Sequence, residues 1–199
     1  KLSELTGKEP ITKMGQVRWF KKPTPGNLYV VALDPSLGTG GDFAAIQIFE
    51  LPSMTQCGEW QHNLTIIQDQ IRIFRDIVKY IQDEIGQEYA NSIYWSCENN
   101  TVGEAALVVI KDLGEETFPG LFVSEPVKKG HIRKFRKGFN TTFGSKISAC
   151  ARLKYLIEEN KMKLNSRPLI TELKAFIAAG TSFKAKTGQH DDLVSALLL

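Results

Sequence analysis

The sequence has little cysteine, little net charge and no long hydrophobic run, and each of these absences excludes something. The cysteines Cys57, Cys97 and Cys150 lie far apart without CxxC or histidine spacing, which argues against a zinc site or a disulfide framework and favours reduced thiols in a cytosolic compartment. No stretch approaches the roughly 20 apolar residues of a membrane span, so we expect no membrane partner. The net charge of +3 does not by itself indicate a polyanionic partner.

What the sequence does contain is the composition of an ordinary globular domain, with 199 residues of which 42% are hydrophobic. Residues 1–27 are polar and contain Pro10, Pro23 and Pro25, so we expect a linker or a segment strapped onto a domain that spans residues 28–199. Because the first residue is Lys1 and the last predicted helix is still running at Leu199, we expect the chain to be a piece of a longer protein.

Apolar patterns predict an α/β fold, with a mixed central sheet flanked by helices. The first three predicted strands cover residues 29–33, 43–50 and 63–68, and their short connections indicate an antiparallel meander. Two further predicted strands cover residues 92–97 and 121–124. Apolar spacings of three and four predict helices around residues 71–85, 102–113, 145–159 and 169–178, and from residue 191 to the end.

Acidic residues follow two of the predicted strands directly. Asp34 ends the first apolar run, Glu98 ends the fourth strand, and neighbouring strands would bring both carboxylates to one edge of the sheet. Asp191 and Asp192 open the last helix, where they could equally well cap free N–H groups. Carboxylates that converge on one point repel each other and require a cation. Hard oxygen ligands suit Mg²⁺ or Mn²⁺, and two such ions can promote phosphodiester cleavage.

A basic stretch offers the opposite charge. It comprises Lys128, Lys129, Arg133, Lys134, Arg136 and Lys137. Such a stretch is often only a solvated loop, but it could also follow a phosphate backbone without reading base sequence. With Lys184 and Lys186 as helpers, it is the predicted DNA-binding surface.

The glycine-rich turn at residues 38–41 lacks the Lys-Ser/Thr ending and the following helix of a Walker A loop. The sequence therefore encodes no recognisable ATPase motor. Actin-like and sugar-kinase ATPases also open with an Asp and a glycine turn, but they need a second such domain.

Three short motifs together resemble a known family. Val-Val-Ala-Leu-Asp34-Pro-Ser-Leu-Gly with Gly-Gly-Asp42-Phe-Ala-Ala, then Tyr-Trp-Ser-Cys-Glu98-Asn-Asn, then Gly-Gln-His-Asp191-Asp192-Leu-Val-Ser-Ala resemble the acidic motifs of the nuclease domain of large terminase subunits. They occur in the family's order across residues 29–197. The likeness is to the C-terminal domain of the DNA-packaging motor of myovirus-type tailed phages.

The resemblance implies a ribonuclease H-like fold, related to Holliday-junction resolvases, and metal-dependent endonucleolytic cutting of concatemeric viral DNA. It implies that Asp34, Glu98 and one of Asp191 and Asp192 are ligands of Mg²⁺ or Mn²⁺, and that Asp42 is a supporting fourth acid. Neighbouring helical residues point about 100° apart, so only one of the last pair can face the site squarely. We favour Asp191, since this choice leaves the apolar residues of the last helix free to face the core.

The family also implies partners and a location. These are double-stranded DNA, a preceding ATPase domain, the phage portal and the small terminase subunit, with the protein in the host cytoplasm and transiently at the portal. Two alternatives stay open. One is a resolvase- or transposase-type nuclease of the same fold, and the other is a non-catalytic DNA-binding module on that fold.

Overall fold

The computed structural model describes residues 1–126, 137–179, 182–185 and 189–199, and for residues 177–179 and 182–184 it describes the backbone alone. The strands are β1 (Thr12–Met14), β2 (Val17–Trp19), β3 (Leu28–Asp34), β4 (Ala44–Leu51), β5 (Thr55–His62), β6 (Ile93–Cys97), β7 (Leu121–Phe122), β8 (Phe176–Ala179) and β9 (Ser182–Ala185). The α-helices are α1 (Ile67–Ile85), α2 (Thr101–Leu113), α3 (Phe143–Glu158), α4 (Arg167–Ala175) and α5 (Asp192–Leu198).

The first seven strands form one mixed sheet, in the spatial order β1-β2-β5-β4-β3-β6-β7. β3, β4 and β5 are an antiparallel meander, whereas β6 runs parallel to β3 and β7 parallel to β6. β8 and β9 form a separate antiparallel hairpin. The predicted α/β class and the mixed sheet are therefore confirmed.

The central strand β4 shows why helices cover both faces of the sheet. Side chains alternate between the faces along a strand, and β4 is apolar on both. Ala44, Ile46 and Ile48 join one core with α1 and α2, while Ala45 and Phe49 join a second core with α3, α4 and α5. A strand buried on both sides fixes the residues next to it in the chain, and Asp42 lies just before the start of β4.

Helix α1 packs on the first face through a stripe at the predicted spacing. Ile71, Phe74, Val78 and Ile81 are fully buried, and fully burying one such side chain contributes about 1.5–3 kcal/mol. The helix ends at Gly86, whose φ of 102° is a conformation that favours glycine. The expected helix and its stop signal are both confirmed.

Two predicted elements were wrong. The third strand is β5, at Thr55–His62, while the predicted segment 63–68 is a turn that runs into α1. The sequence does not predict β5 because its polar residues Gln56 and Glu59 suggest an exposed segment. Both side chains are in fact buried and hydrogen-bonded. The helix predicted over 169–178 ends at Ala175, and the chain continues as β8.

The N-terminal segment packs against the domain. β2 pairs with β5, and Trp19 and Phe20 are almost completely buried, so residues 12–20 extend the sheet. The three cysteines are buried and form no disulfide. No helix in the described ranges is both long enough and apolar enough to cross a membrane.

Candidate metal centre and nucleic-acid site

The parallel pairing of β3 with β6 brings two acidic residues side by side. Leu33 lies opposite Cys97 in the register, and the Glu98 N–H continues the ladder by donating to the Leu33 carbonyl oxygen over 3.0 Å. Asp34 and Glu98 are therefore the neighbouring residues at which both strands leave the sheet. The expectation that these strands lie together is confirmed.

Glu98 is held in place by the residues that follow it. Asn100 donates from Nδ2 to the Glu98 Oε2 over 2.7 Å, and its own Oδ1 accepts the Gly103 N–H at the start of α2. A Cβ on Gly103 would lie 1.9 Å from the Glu98 carbonyl oxygen, so only glycine permits this close approach. The polar run after β6 thus caps α2 and orients the carboxylate at once.

A cavity of about 490 Å³ opens beside this pair. Its acidic lining consists of Asp34, Asp42, Glu98 and Asp192. We call these four residues and the space between them the carboxylate pocket. Three segments that are far apart in sequence meet there, since Asp42 precedes β4 and Asp192 begins α5.

The turn between Asp34 and Asp42 is shaped by packing. Gly38 has a φ of 72°, and a Cβ there would lie 2.1 Å from the Thr65 carbonyl oxygen. The glycine is needed because the turn lies directly against the chain that leads into α1. The turn joins two acidic residues of the pocket and, as expected, it is not followed by a helix.

The surroundings of Asp34 and Asp192 in the carboxylate pocket disfavour the ionised forms of these two side chains. Burial, followed by a hydrogen bond to Glu98 and by the charges of Glu98, Asp192 and Asp191, raises the pKa of Asp34 to about 9. Burial and the charges of Asp191 and Asp42 also raise the pKa of Asp192. The hydrogen bond and the charge of Glu98 thus act with burial to favour the protonated form of Asp34, as expected for neighbouring carboxylates that no cation neutralises.

The structure gives Asp191, which the sequence analysis favoured, and Asp192 different surroundings. Asp191 precedes α5 with φ −135° and ψ 19°, so it is not a helical residue and the 100° argument does not apply to it. Its Oδ2 accepts the Ala185 N–H over 3.2 Å, whereas Asp192 lines the pocket. The apolar residues Leu193 and Val194 face the core with Asp192 in this position.

The carboxylate oxygens of the pocket are the type of ligand that a hard divalent cation prefers. Glu98 lies close enough to Asp34 to raise the pKa of Asp34, and a cation bound by both carboxylates would offset their repulsion. Asp192 and Asp42 offer further carboxylate oxygens in the same cavity. No group of three or more His, Cys, Asp or Glu side chains in the described ranges is already arranged to hold a metal ion. The four carboxylates fit such an ion by type and location.

Lys146 is a pocket residue that the sequence did not single out. It lies at the end of the first turn of α3, whose N-terminus is capped by Thr142 and Ser145. It is the single Lys or Arg among the described residues that line the cavity. Its Nζ lies 5.7 Å from the centre of the Phe176 ring. Only the helix cap pattern Thr-Phe-Gly-Ser before Lys146 marks its position in the sequence.

The predicted DNA-binding residues fall mainly outside the described residues. This holds for Lys128, Lys129, Arg133, Lys134, Arg136 and Lys186, and for the side chain of Lys184 on β9. Lys137 is described, and it does not line the carboxylate pocket. It pairs with Glu115, lies 5.5 Å from the centre of the Phe122 ring, and lines a different cavity beside α2.

Comparison with known proteins gives one family and one fold. Residues 31–199 match the family model of the terminase RNaseH-like domain. The magnesium-bound large terminase nuclease from the thermophilic phage G20c is similar with a TM-score of 0.70 and 17% identity, over 99% of this chain and 92% of that one. The G20c nuclease is also known with bound cobalt and with bound zinc.

Two other structures show the same likeness. The large terminase nuclease domain of Thermus phage P74-26 has a TM-score of 0.66 at 15% identity, over 99% of this chain and 90% of that chain. The terminase nuclease domain of human cytomegalovirus, soaked with manganese and bound to an inhibitor, has a TM-score of 0.59 at 13% identity, over 99% and 88%. The expected ribonuclease H-like fold is therefore confirmed.

Proposed function

The chain belongs to the family of terminase RNaseH-like domains, and from this premise we propose that it is the metal-dependent DNA endonuclease domain of a large terminase. In this proposal it cuts concatemeric viral DNA and so makes genome ends during packaging. The observation that carries the proposal is the carboxylate pocket, where Asp34, Asp42, Glu98 and Asp192 from three separate segments of the chain line one cavity.

Asp34, Glu98 and Asp192 are the residues that would hold divalent cations, with Asp42 in support. The ions are Mg²⁺ or Mn²⁺, and we propose two of them. Bound there, such ions would neutralise the phosphodiester and lower the pKa of water, which is the chemistry that phosphodiester hydrolysis needs. The likeness to nucleases known with magnesium and manganese supports this choice of ion.

The chain's own residues provide the rest of the site. Asn100 fixes the Glu98 carboxylate, and the N–H of Phe43 donates to the Asp192 carboxylate, so two of the acids are held by hydrogen bonds before any ligand arrives. Lys146 places a positive charge against a pocket that otherwise repels DNA. We propose that Lys146 contacts a phosphate next to the scissile bond.

Double-stranded DNA would extend from the pocket along a wider basic surface. We propose that the basic stretch 128–137 and the hairpin lysines Lys184 and Lys186 contribute to it through phosphate contacts, which are independent of base sequence. In the full-length protein we propose an N-terminal ATPase domain, a phage portal and a small terminase subunit as partners, in the host cytoplasm.

Cleavage of supercoiled plasmid tests the function. The purified domain is incubated with Mg²⁺, with Mn²⁺, or with EDTA, and nicked and linear products are separated on a gel. We expect cutting with either ion and none with EDTA. Binding of the plasmid without metal and without any cutting, even at high protein concentration, would overturn the proposed nuclease activity. That result would support the non-catalytic DNA-binding module.

A branched substrate separates the terminase from the resolvase-type alternative. A four-way junction and a linear duplex with the same arms are compared at equal concentration. A terminase nuclease should cut the duplex at least as well as the junction. A strong preference for the junction, with symmetric incisions, would favour a resolvase.

A further inference from the structure

Helix α5 carries Asp192 in its first turn, and the side chain of the residue before the helix does not cap this turn. The N-cap residue Asp191 makes no side-chain hydrogen bond to the free amides of the helix, because its carboxylate accepts the Ala185 N–H instead. The first amides of any helix have no partner within the helix and must find one elsewhere. Something outside α5 must therefore hold the turn that presents Asp192.

Glu172 on α4 supplies that partner. Its Oε2 accepts the Val194 N–H over 3.1 Å, and the Leu193 N–H also helps to stabilise the charge of its carboxylate. Burial raises the pKa of Glu172 to about 7, while these two amides act against the rise. In the described ranges Glu172 has no ion pair with a lysine or arginine, so the amides of α5 are the groups that stabilise its charge.

The same turn is also tied to the sheet. Gln47 on β4 donates from Nε2 to the Leu193 carbonyl oxygen over 3.5 Å. Leu193 and Val194 of α5 are buried in the second core. The turn is thus fastened by a short contact to α4 and a longer one to β4, and Asp192 lies one residue before the fastened amides.

We propose that Glu172 is a positioning residue, which holds the first turn of α5 so that Asp192 points into the carboxylate pocket. The inference rests on the proposed function, because it assigns Glu172 a role in holding a metal ligand. Glu172 itself does not line the carboxylate pocket. Its effect passes through the backbone of residues 192–194.

Two substitutions separate positioning from a general role in stability. Glu172→Ala removes the acceptor, whereas Glu172→Gln keeps an acceptor oxygen for the amides and removes only the charge. Thr171→Ala, at the exposed neighbouring residue of α4, is the matched control. Manganese affinity is measured by isothermal titration calorimetry. Loss of an outer-shell partner weakens metal binding by about 10- to 100-fold, so we expect about tenfold for Glu172→Ala.

We expect Glu172→Gln and Thr171→Ala to bind Mn²⁺ within about threefold of the wild type. The first substitution keeps an acceptor oxygen for the α5 amides, and the second leaves Glu172 unchanged. Equal affinity of Glu172→Ala and wild type would overturn the proposal, as would an equal loss in Thr171→Ala. If Glu172→Ala fails to fold, a Glu172→Gln affinity that matches Thr171→Ala supports the proposal, and a tenfold loss overturns it.

Amide hydrogen exchange provides a readout that needs no metal. The Leu193 and Val194 amides should exchange at least about tenfold faster in Glu172→Ala than in Thr171→Ala, because they lose their acceptor. Unchanged exchange would contradict the positioning role. Absence of Mn²⁺ binding by the wild type would instead contradict the proposed function, and the exchange rates would still decide whether Glu172 holds α5.

Discussion

Two acidic residues of this molecule, Glu59 and Asp34, have opposite surroundings. Glu59 is fully buried, yet it accepts hydrogen bonds from Arg18 over 2.6 Å, from Gln47 over 3.2 Å, from Gln56 over 3.3 Å and from Ser166. We call these five residues the Glu59 network. Asp34, in the carboxylate pocket, has other acids for neighbours, and Lys146 is the one described cation in the lining.

The difference teaches how to recognise a site among buried charges. A buried carboxylate with a cation and several donors is complete, and its role is to fasten β2, β5 and α4 to each other. A carboxylate whose neighbours are carboxylates is incomplete, and it stays in the fold only because a proton or a cation can neutralise it. The fold thus tolerates an unfavourable cluster at one sheet edge, while the buried Glu59 carboxylate nearby has a cation and several donors as partners.

The largest expected effect comes from neutralising the pocket. Asp34→Asn should lower plasmid cleavage by about 1,000-fold or more, because it removes a ligand whose ion supplies several kcal/mol of transition-state stabilisation. The fold should stay intact, since the change relieves repulsion. Asp112→Asn, an exposed acid on α2, is the control. Cleavage rates and thermal unfolding are measured together, and unfolding of Asp34→Asn would show that Asp34 is structural.

Breaking the Glu59 network should have the opposite consequence. Glu59→Ala leaves Arg18 without its partner, and removing one member of a buried pair costs about 3–5 kcal/mol of unfolding free energy. Glu158→Ala removes an exposed pair on α3 with a separation of 3.9 Å and should cost about 0.5 kcal/mol or less. Urea unfolding gives both values. A loss under about 1 kcal/mol for Glu59→Ala would remove the contrast between the two groups.

The pH dependence of stability sharpens the comparison. The pKa of Asp34 is about 9 in the folded protein and about 4 in the unfolded chain, so between these values the folded state holds a proton that the unfolded state has released. This contribution to the free energy of unfolding therefore falls as pH rises, by at most about 1.4 kcal/mol per pH unit.

Asp34→Asn should escape that loss. In EDTA the variant should gain roughly 1–3 kcal/mol over the wild type between pH 5 and pH 8, measured by urea unfolding at each pH. Millimolar Mg²⁺ at pH 8 should narrow the gap, because the ion takes the place of the proton in the wild type. A gap that is the same at both pH values would show that Asp34 ionises normally in the fold.

The smallest expected effect concerns the cation of the pocket. Lys146→Ala should lower kcat/KM for plasmid by about tenfold and flatten the salt dependence of DNA binding by about one unit of log-log slope, as expected for a lost phosphate contact. Lys154→Ala lies on the same helix and is exposed, so it is the matched control. Equal effects of the two substitutions would place Lys146 outside the DNA site.

Much of the site was predictable because its acids follow strong local patterns. The apolar run before Asp34 and the strand before Glu98 marked two buried strands, and both acids are at the same sheet edge. β5 was not predictable in the same way, because Gln56 and Glu59 look exposed until their partners from α4 and β2 are in place. Periodicity reports burial of apolar residues, and it misses polar residues that are buried with partners.

The choice between Asp191 and Asp192 shows a second limit. Both residues sit at the start of a helix, and their order along the chain does not say which is the first helical residue. The hydrogen bond from Ala185 draws Asp191 toward the hairpin, and Asp192 is left to face the pocket. Lys146 and Glu172 likewise have no local signal, because their roles depend on residues more than 20 positions away.

The sequence by itself determined the α/β architecture, the family and the two strand-end acids, since hydrophobic alternation and short motifs are local properties of the chain. The tertiary structure alone decided which aspartate of the last pair enters the pocket, which lysine accompanies it, and that Glu172 caps the helix in place of Asp191. These outcomes depend on backbone amides and side chains that packing brings together, and no pattern within one segment records such an encounter.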